Sequence, residues 1–266
     1  MQQFWNQEAS DGMITVYHMV EDLGFSRMEY AANARLDSSK LCLPGTQKSI
    51  LHIIKVWICG TGEDMLHVLW LSGMTGKGKS AIAHIIVNWF NQHGGLGACF
   101  CFGHTQKFHG KIFTTVTHDL ADCDSVIQRA LANEVHSDHE PGLRHMPLGQ
   151  WHFVIRSTYE VAPAPILIVI DVLNKSGSEA AFWEQILHLL GGRSTVQSQP
   201  IKLPMNTHIL ITSCPLDNIY NALHSISHIH HMSLDDIEST SMEHDIQVFI
   251  STKLANQCNV FSGTHF

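Results

Sequence analysis

The stretch that most restricts the fold is HVLWLSGMTGKGKSAIAHIIVNWF, residues 67–90. Its opening apolar run, VLWL, reads as a buried strand. SAIAHIIVNWF then repeats apolar residues at helical spacing. Ile82, Ile85, Ile86 and Trp89 are expected on one face, and glycines follow the helix end. Between strand and helix lies GMTGKGKS, Gly73 to Ser80. Gly73, Gly76 and Gly78 let the backbone wrap so that several N–H groups point inward. The helix that opens next adds its partial positive charge. The spacing fits G-x-x-x-x-G-K-[ST], a loop that cradles phosphate. Candidate nucleotide contacts are therefore Gly73, Met74, Thr75, Gly76, Lys77, Gly78, Lys79, Ser80 and Ala81. Lys79 would bridge the β- and γ-phosphates, and Ser80 would ligate Mg2+. Lys77 is an extra cation that either faces solvent or helps to hold a triphosphate. The competing reading is a glycine-rich turn with no ligand.

The same strand–helix alternation continues along the chain. LGACFCFG reads as a second strand, with Cys99 and Cys101 on one face. PILIVID, THILITS and HIHHMSL read as the third, fourth and fifth strands. Helices are expected over QKSILHIIKVWI, with Thr46 as its N-cap, and over IFTTVTHDLADCDSVIQRAL. Further helices are expected over LGQWHFVIRSTYEV, EAAFWEQILHLLGG, LDNIYNALHS and MEHDIQVFISTKLAN. Apolar strands alternating with helices predict an α/β fold. The expected architecture is a three-layer αβα sandwich on a mostly parallel five-stranded sheet, of the P-loop NTPase kind. The expected organisation is a leader over residues 1–40, one domain over 41–256 and a tail over 257–266.

Composition narrows the function. Hydrophobic residues make up 44% of the 266, which is enough for a sizeable core. The net charge of −8 argues against non-specific nucleic-acid binding, which needs a basic face. Seven cysteines, an odd number with no C-x-x-C pair, suggest reduced thiols and a cytoplasmic protein. MQQFWNQEAS has neither a basic region nor an apolar core, so no signal peptide is expected. The longest apolar run is too short to span a bilayer, so no membrane partner is expected. Histidines cluster in HSDHE and HSISHIHH. His228, His230 and His231 have metal-ligand chemistry. However, His228 and His230 lie in a strand-like alternation, and no second ligand cluster accompanies them.

A magnesium-dependent phosphate loop needs a second acid at the end of a buried strand beside its own. PILIVID supplies Asp171, so the expected metal pair is Ser80 and Asp171. With that residue in place the chain resembles a fungal NACHT domain, a signal-transducing NTPase module also grouped as nephrocystin-like N-terminal domains. The matching segments are ARLDSSKLCLPGTQKSIL, VLWLSGMTGKGKSAIA, WFNQHGGLGACFCF, PILIVIDVLNKSG and THILITSCPLDNI, in family order over residues 34–219.

The departures from the family pattern bear on chemistry. The family usually carries an Asp-Glu pair shortly after its magnesium aspartate, expected to orient or deprotonate the attacking water. Here those positions are Asn174 and Lys175, and neither is a carboxylate base. The family's fourth strand normally ends Thr-Ser-Arg-Pro, with the arginine expected to sense the terminal phosphate. Here Cys214 stands in its place, and a thiol lacks the guanidinium's charge. LNKSG is not a guanine-reading N-K-x-D motif, because Gly177 holds the fourth position.

The resemblance thus implies a switch module that binds ATP or GTP with Mg2+, is weak or inactive as a hydrolase, and has protein partners or self-associates. Winged-helix and repeat segments, usual in the family beyond this core, are not expected before the end at SGTHF. A second reading keeps the fold as an interaction module with no need for nucleotide. A small-molecule kinase is disfavoured, since Arg193 is the only arginine beyond residue 171.

Overall fold

The computed structural model describes residues 30–31, 34, 45–60, 65–102, 111–137, 165–171, 206–224, 226–236, 247–248 and 251. In chain order the elements are α1 (Lys48–Ile58), β1 (Val68–Ser72), α2 (Lys79–Gln92), β2 (Leu96–Cys101), α3 (Ile112–Cys123) and α4 (Ser125–Ser137). They continue as β3 (Ile166–Asp171), β4 (Thr207–Ser213), α5 (Asp217–Leu223) and β5 (Ile229–Ser233), closing on a 3-10 turn, Leu234–Asp236. The five strands form one sheet in the order β2-β3-β4-β1-β5, and every pairing is parallel.

Parallel strands that are buried on both faces need apolar residues at every position. Every residue of β1, β2, β3 and β4 is buried, and their interiors are mostly apolar, with the buried polar residues Ser72, Asp171, Thr207, His208, Thr212 and Ser213 at or next to strand ends. Their side chains alternate between two cores. Val68, Trp70, Ile168, Ile170, Ile209 and Ile211 pack with α3 and α5 on one face. Leu69, Leu71, Leu167, Val169 and Leu210 pack with α1 and α2 on the other. The result is the expected three-layer arrangement.

β2 is an edge strand, and edges expose unpaired backbone donors. Here side chains from the flanking helices take them. The Gly97 N–H donates to Asn91 Oδ1 at 2.7 Å, and the Cys99 N–H donates to Asp119 Oδ2 at 3.0 Å. A Cβ on Gly97 would collide with that same Asn91 oxygen and come 3.1 Å from Val87. Glycine at this position therefore admits the amide that caps the strand.

Several local expectations shift. α1 opens at Gln47, in the left-handed region at φ 56, with no side-chain cap, so Thr46 does not serve as N-cap. Gly45, at φ 97, belongs to the tight turn that displaces the helix start past Thr46. The stretch read as one helix over residues 112–131 is two, α3 and α4. Asp124 separates them in an extended conformation, and its Oδ1 accepts from the N–H groups of Val126 (2.7 Å) and Ile127 (3.0 Å). A carboxylate that satisfies the next helix's first donors favours a restart over a continuous helix. On α2 the deeply buried face is Ile82, Ala83, Ile86, Val87 and Phe90, while Ile85 and Trp89 are half-buried.

His228, His230 and His231 do not converge on a metal site; among the described residues the one such group is elsewhere in the fold. His231 instead stacks on Trp70 with ring centroids 4.1 Å apart, and its Nε2 lies 2.8 Å from Ser72 Oγ. The helices expected over LGQWHFVIRSTYEV and EAAFWEQILHLLGG lie outside the described residues, as does most of MEHDIQVFISTKLAN. No described helix is long and apolar enough to cross a membrane.

Candidate functional site

The glycine-rich loop runs from the end of β1 into α2, at the carboxyl edge of a parallel sheet, where open α/β folds place their ligands. Gly76 and Gly78 adopt φ 88 and φ 85, a conformation that a side chain would strain. A Cβ on Gly76 would meet nothing within 4 Å, so glycine is needed there for its backbone and not for room. At Gly73 space decides, because a Cβ would come within 3.0 Å of Leu234. The loop thus leans on the 3-10 turn, and Met74, Thr75 and Gly76 remain exposed at its tip.

Lys79 opens α2 and is only 8% exposed. Its Nζ donates to the carbonyls of Gly73 (2.6 Å) and Met74 (2.8 Å). Among the described residues no carboxylate pairs with it. A buried ammonium held only by carbonyl dipoles is costly to keep. Lys77 is partly exposed and faces Asp235, with Nζ to Oδ1 at 3.8 Å. That carboxylate also accepts from the Met74 N–H at 3.1 and 3.3 Å. Ser80 and Ala81 follow in the first turn of α2, both half-buried.

Asp171 ends β3 and is fully buried. Its Oδ1 accepts from Thr212 Oγ1 at 2.6 Å, and its Oδ2 accepts from Cys101 Sγ at 3.1 Å. His84 Nε2 lies 3.9 Å from the same Oδ2. Ser80 and His84 sit four apart on α2 and share one side of the helix. Asp171 therefore projects toward the helix that carries Ser80, on the same face of the sheet. β3 is not the immediate neighbour of β1, because β4 lies between them. The sequence gives the order of strands along the chain, and lateral order depends on how the crossovers pack.

Cys214 follows β4 directly and reaches the loop, with its Sγ 3.5 Å from Thr75 Oγ1. Asn174 and Lys175 lie outside the described residues. Four contributors were not read from sequence: His84, Cys101 and Thr212, which surround Asp171, and Asp235, which touches the loop. Two signals were available. His84 follows Ser80 by one helical turn, and Cys101 was placed on a known strand face.

The sequence model of the nephrocystin 3 N-terminal family matches residues 45–214. A search of curated proteins finds no match. The matched segment begins just before α1, includes the glycine-rich loop, Lys79 and Asp171, and ends at Cys214. It covers four of the sheet's five strands and more than half of the sequence, and on that ground the chain belongs to the nephrocystin 3 N-terminal family.

Proposed function

We propose that the chain is a nucleoside-triphosphate-binding switch module of the NACHT type, taking ATP or GTP together with Mg2+, with a degraded hydrolytic site. The observation that carries this reading is Lys79. Its buried ammonium sits in the mouth of a left-handed glycine loop, held by two carbonyls and by no carboxylate among the described residues. The chemistry of the donor set fits a polyphosphate. Backbone N–H groups of the loop and the α2 N-terminus would receive anionic oxygens, Lys79 would balance their charge, and Ser80 with Asp171 would hold the metal. Mg2+ would supply further charge neutralisation across the phosphates.

Binding parts and acting parts separate on this reading. Cys214 touches the loop where the family carries a cation, and a cysteine there lacks the guanidinium that would stabilise developing negative charge. Asn174 and Lys175 replace the expected carboxylate pair. A module that holds triphosphate and releases it slowly suits a switch read by protein partners or by self-association, in the cytoplasm.

Calorimetric titration of the full chain with ATP and with GTP, with and without Mg2+, tests the proposal. Saturable binding that Mg2+ strengthens, and a loss of that Mg2+ dependence in Ser80→Ala, is the expected result. Absence of binding by either nucleotide at millimolar concentration would overturn it and leave the interaction-module reading.

A further inference from the structure

His84, Cys101 and Asp171 come from three different elements, α2, β2 and β3, and meet below the loop. Cys101 and Asp171 are the last residues of adjacent strands and stand directly in register. His84, one turn further into α2 than Ser80, is 0% exposed, as is Asp171, and Cys101 is 8% exposed. One ligand atom from each lies within 4.8 Å of the other two. The Sγ–Oδ2 separation is 3.1 Å and the Nε2–Oδ2 separation is 3.9 Å.

We propose that these three side chains form a binding site for a borderline-soft divalent transition metal of the Zn2+ class, with the fourth position left to water. The donor set, one imidazole, one thiol and one carboxylate, matches that ion and not Mg2+, which takes oxygen ligands. With metal–ligand bonds of the usual length, a tetrahedral ion holds its ligand atoms about 3.3–3.7 Å apart. The two separations made by Oδ2, 3.1 and 3.9 Å, fall on either side of that range, so seating the ion between the three side chains calls for local adjustment of their positions. The thiol proton directed from Sγ to Oδ2 leaves to solvent as the thiolate takes the metal.

The surroundings fix the orientation. The Thr212 hydroxyl donates to Asp171 Oδ1, which turns Oδ2 toward Cys101 and His84. Outer hydrogen bonds of this kind orient metal carboxylates. All three side chains are buried, on the face of the sheet whose apolar core includes Leu71, Ile82 and Val169. The site requires no nucleotide. It shares Asp171 with the proposed magnesium pair, so it is tested with nucleotide absent, and its failure leaves the nucleotide reading standing.

The full chain, stripped with chelator and titrated with Co2+ as a spectroscopic substitute for Zn2+, is expected to bind one equivalent tightly. A thiolate-to-cobalt charge-transfer band and strong tetrahedral ligand-field bands should appear together, and added Zn2+ should erase both. Cys101→Ser should lose the charge-transfer band, whereas Cys59→Ser, at an exposed thiol, should keep it. If Cys101→Ser fails to fold, thiol alkylation read by mass spectrometry on the unaltered chain decides, with Zn2+ expected to protect Cys101 selectively. Absence of the tight band in the native chain, its persistence in a folded Cys101→Ser variant, or alkylation of Cys101 unaffected by Zn2+ would overturn the proposal.

Discussion

The thiol of Cys214 lies 3.5 Å from the Thr75 hydroxyl, so the residue that directly follows the fourth strand touches the glycine-rich loop. On the proposed reading, a side chain at position 214 would lie beside the bound phosphates, and the cation that the family resemblance implies there is replaced by a thiol.

Restoring the lost groups should restore chemistry. Asn174→Asp, Lys175→Glu and Cys214→Arg combined are expected to raise single-turnover hydrolysis well above the native chain. General-base help is worth roughly 10²–10⁴-fold, and a phosphate-directed arginine roughly 10³–10⁵-fold. The gains need not multiply, because groups that act as a unit are non-additive. Brisk hydrolysis by the native chain, with no gain in the triple variant, would show that another group supplies the base.

The carboxylate of Asp235 holds the Met74 N–H and faces Lys77. It competes with any anion for the same loop. Asp235→Asn is expected to tighten triphosphate binding by roughly two- to fivefold at low salt, since partly exposed pairs are worth little. The gain should shrink as salt screens the charges. Titrations at two ionic strengths check it, and weaker binding in the variant would count against competition.

Gly97→Ala should destabilise the fold by about 1–3 kcal/mol, the cost of leaving a buried donor unpaired. The added methyl displaces the Asn91 amide that accepts the Gly97 N–H. Urea unfolding should show a lower midpoint at an unchanged slope. Asn91→Ala should cost a similar amount, and the double variant less than the sum, because both changes remove one interaction.

His208 is buried beside Trp57 and His67, and neither ring nitrogen has a hydrogen-bond partner among the described residues. Burial, with a further contribution from His67, lowers its pKa from 6.5 to about 4. The folded value lies below the unfolded one, so the neutral ring's stabilisation is complete above about pH 6.5. It is lost as the pH falls toward about 4. The full effect is about 3 kcal/mol at most. His208→Leu should be neutral or stabilising at pH 7 and should flatten stability across that acid window. An unchanged acid slope in urea unfolding would contradict this.

Much of the frame was legible because it rests on local rules. Buried parallel strands read as unbroken apolar runs, so β3 could be followed to Asp171 without a structure. The loop was legible because its glycines are demanded by backbone conformation at Gly76 and Gly78. What escaped depends on contacts between segments far apart in sequence. Nothing local says that β4 separates β1 from β3, or that His84 and Cys101 close on Asp171. The break at Asp124 was missed for a different reason. Apolar spacing runs through it, and only the side chain's bonds to the next helix mark the restart.

The account stands most directly on Lys79, the buried ammonium that closes the loop over its own carbonyls. Titration of the native chain and of Lys79→Ala with the Mg2+ complex of a triphosphate measures its role. Removing a charge-assisted contact of this kind should weaken binding by roughly 10–100-fold, with the circular dichroism spectrum and unfolding midpoint close to native. Equal affinity in the two proteins would contradict the account.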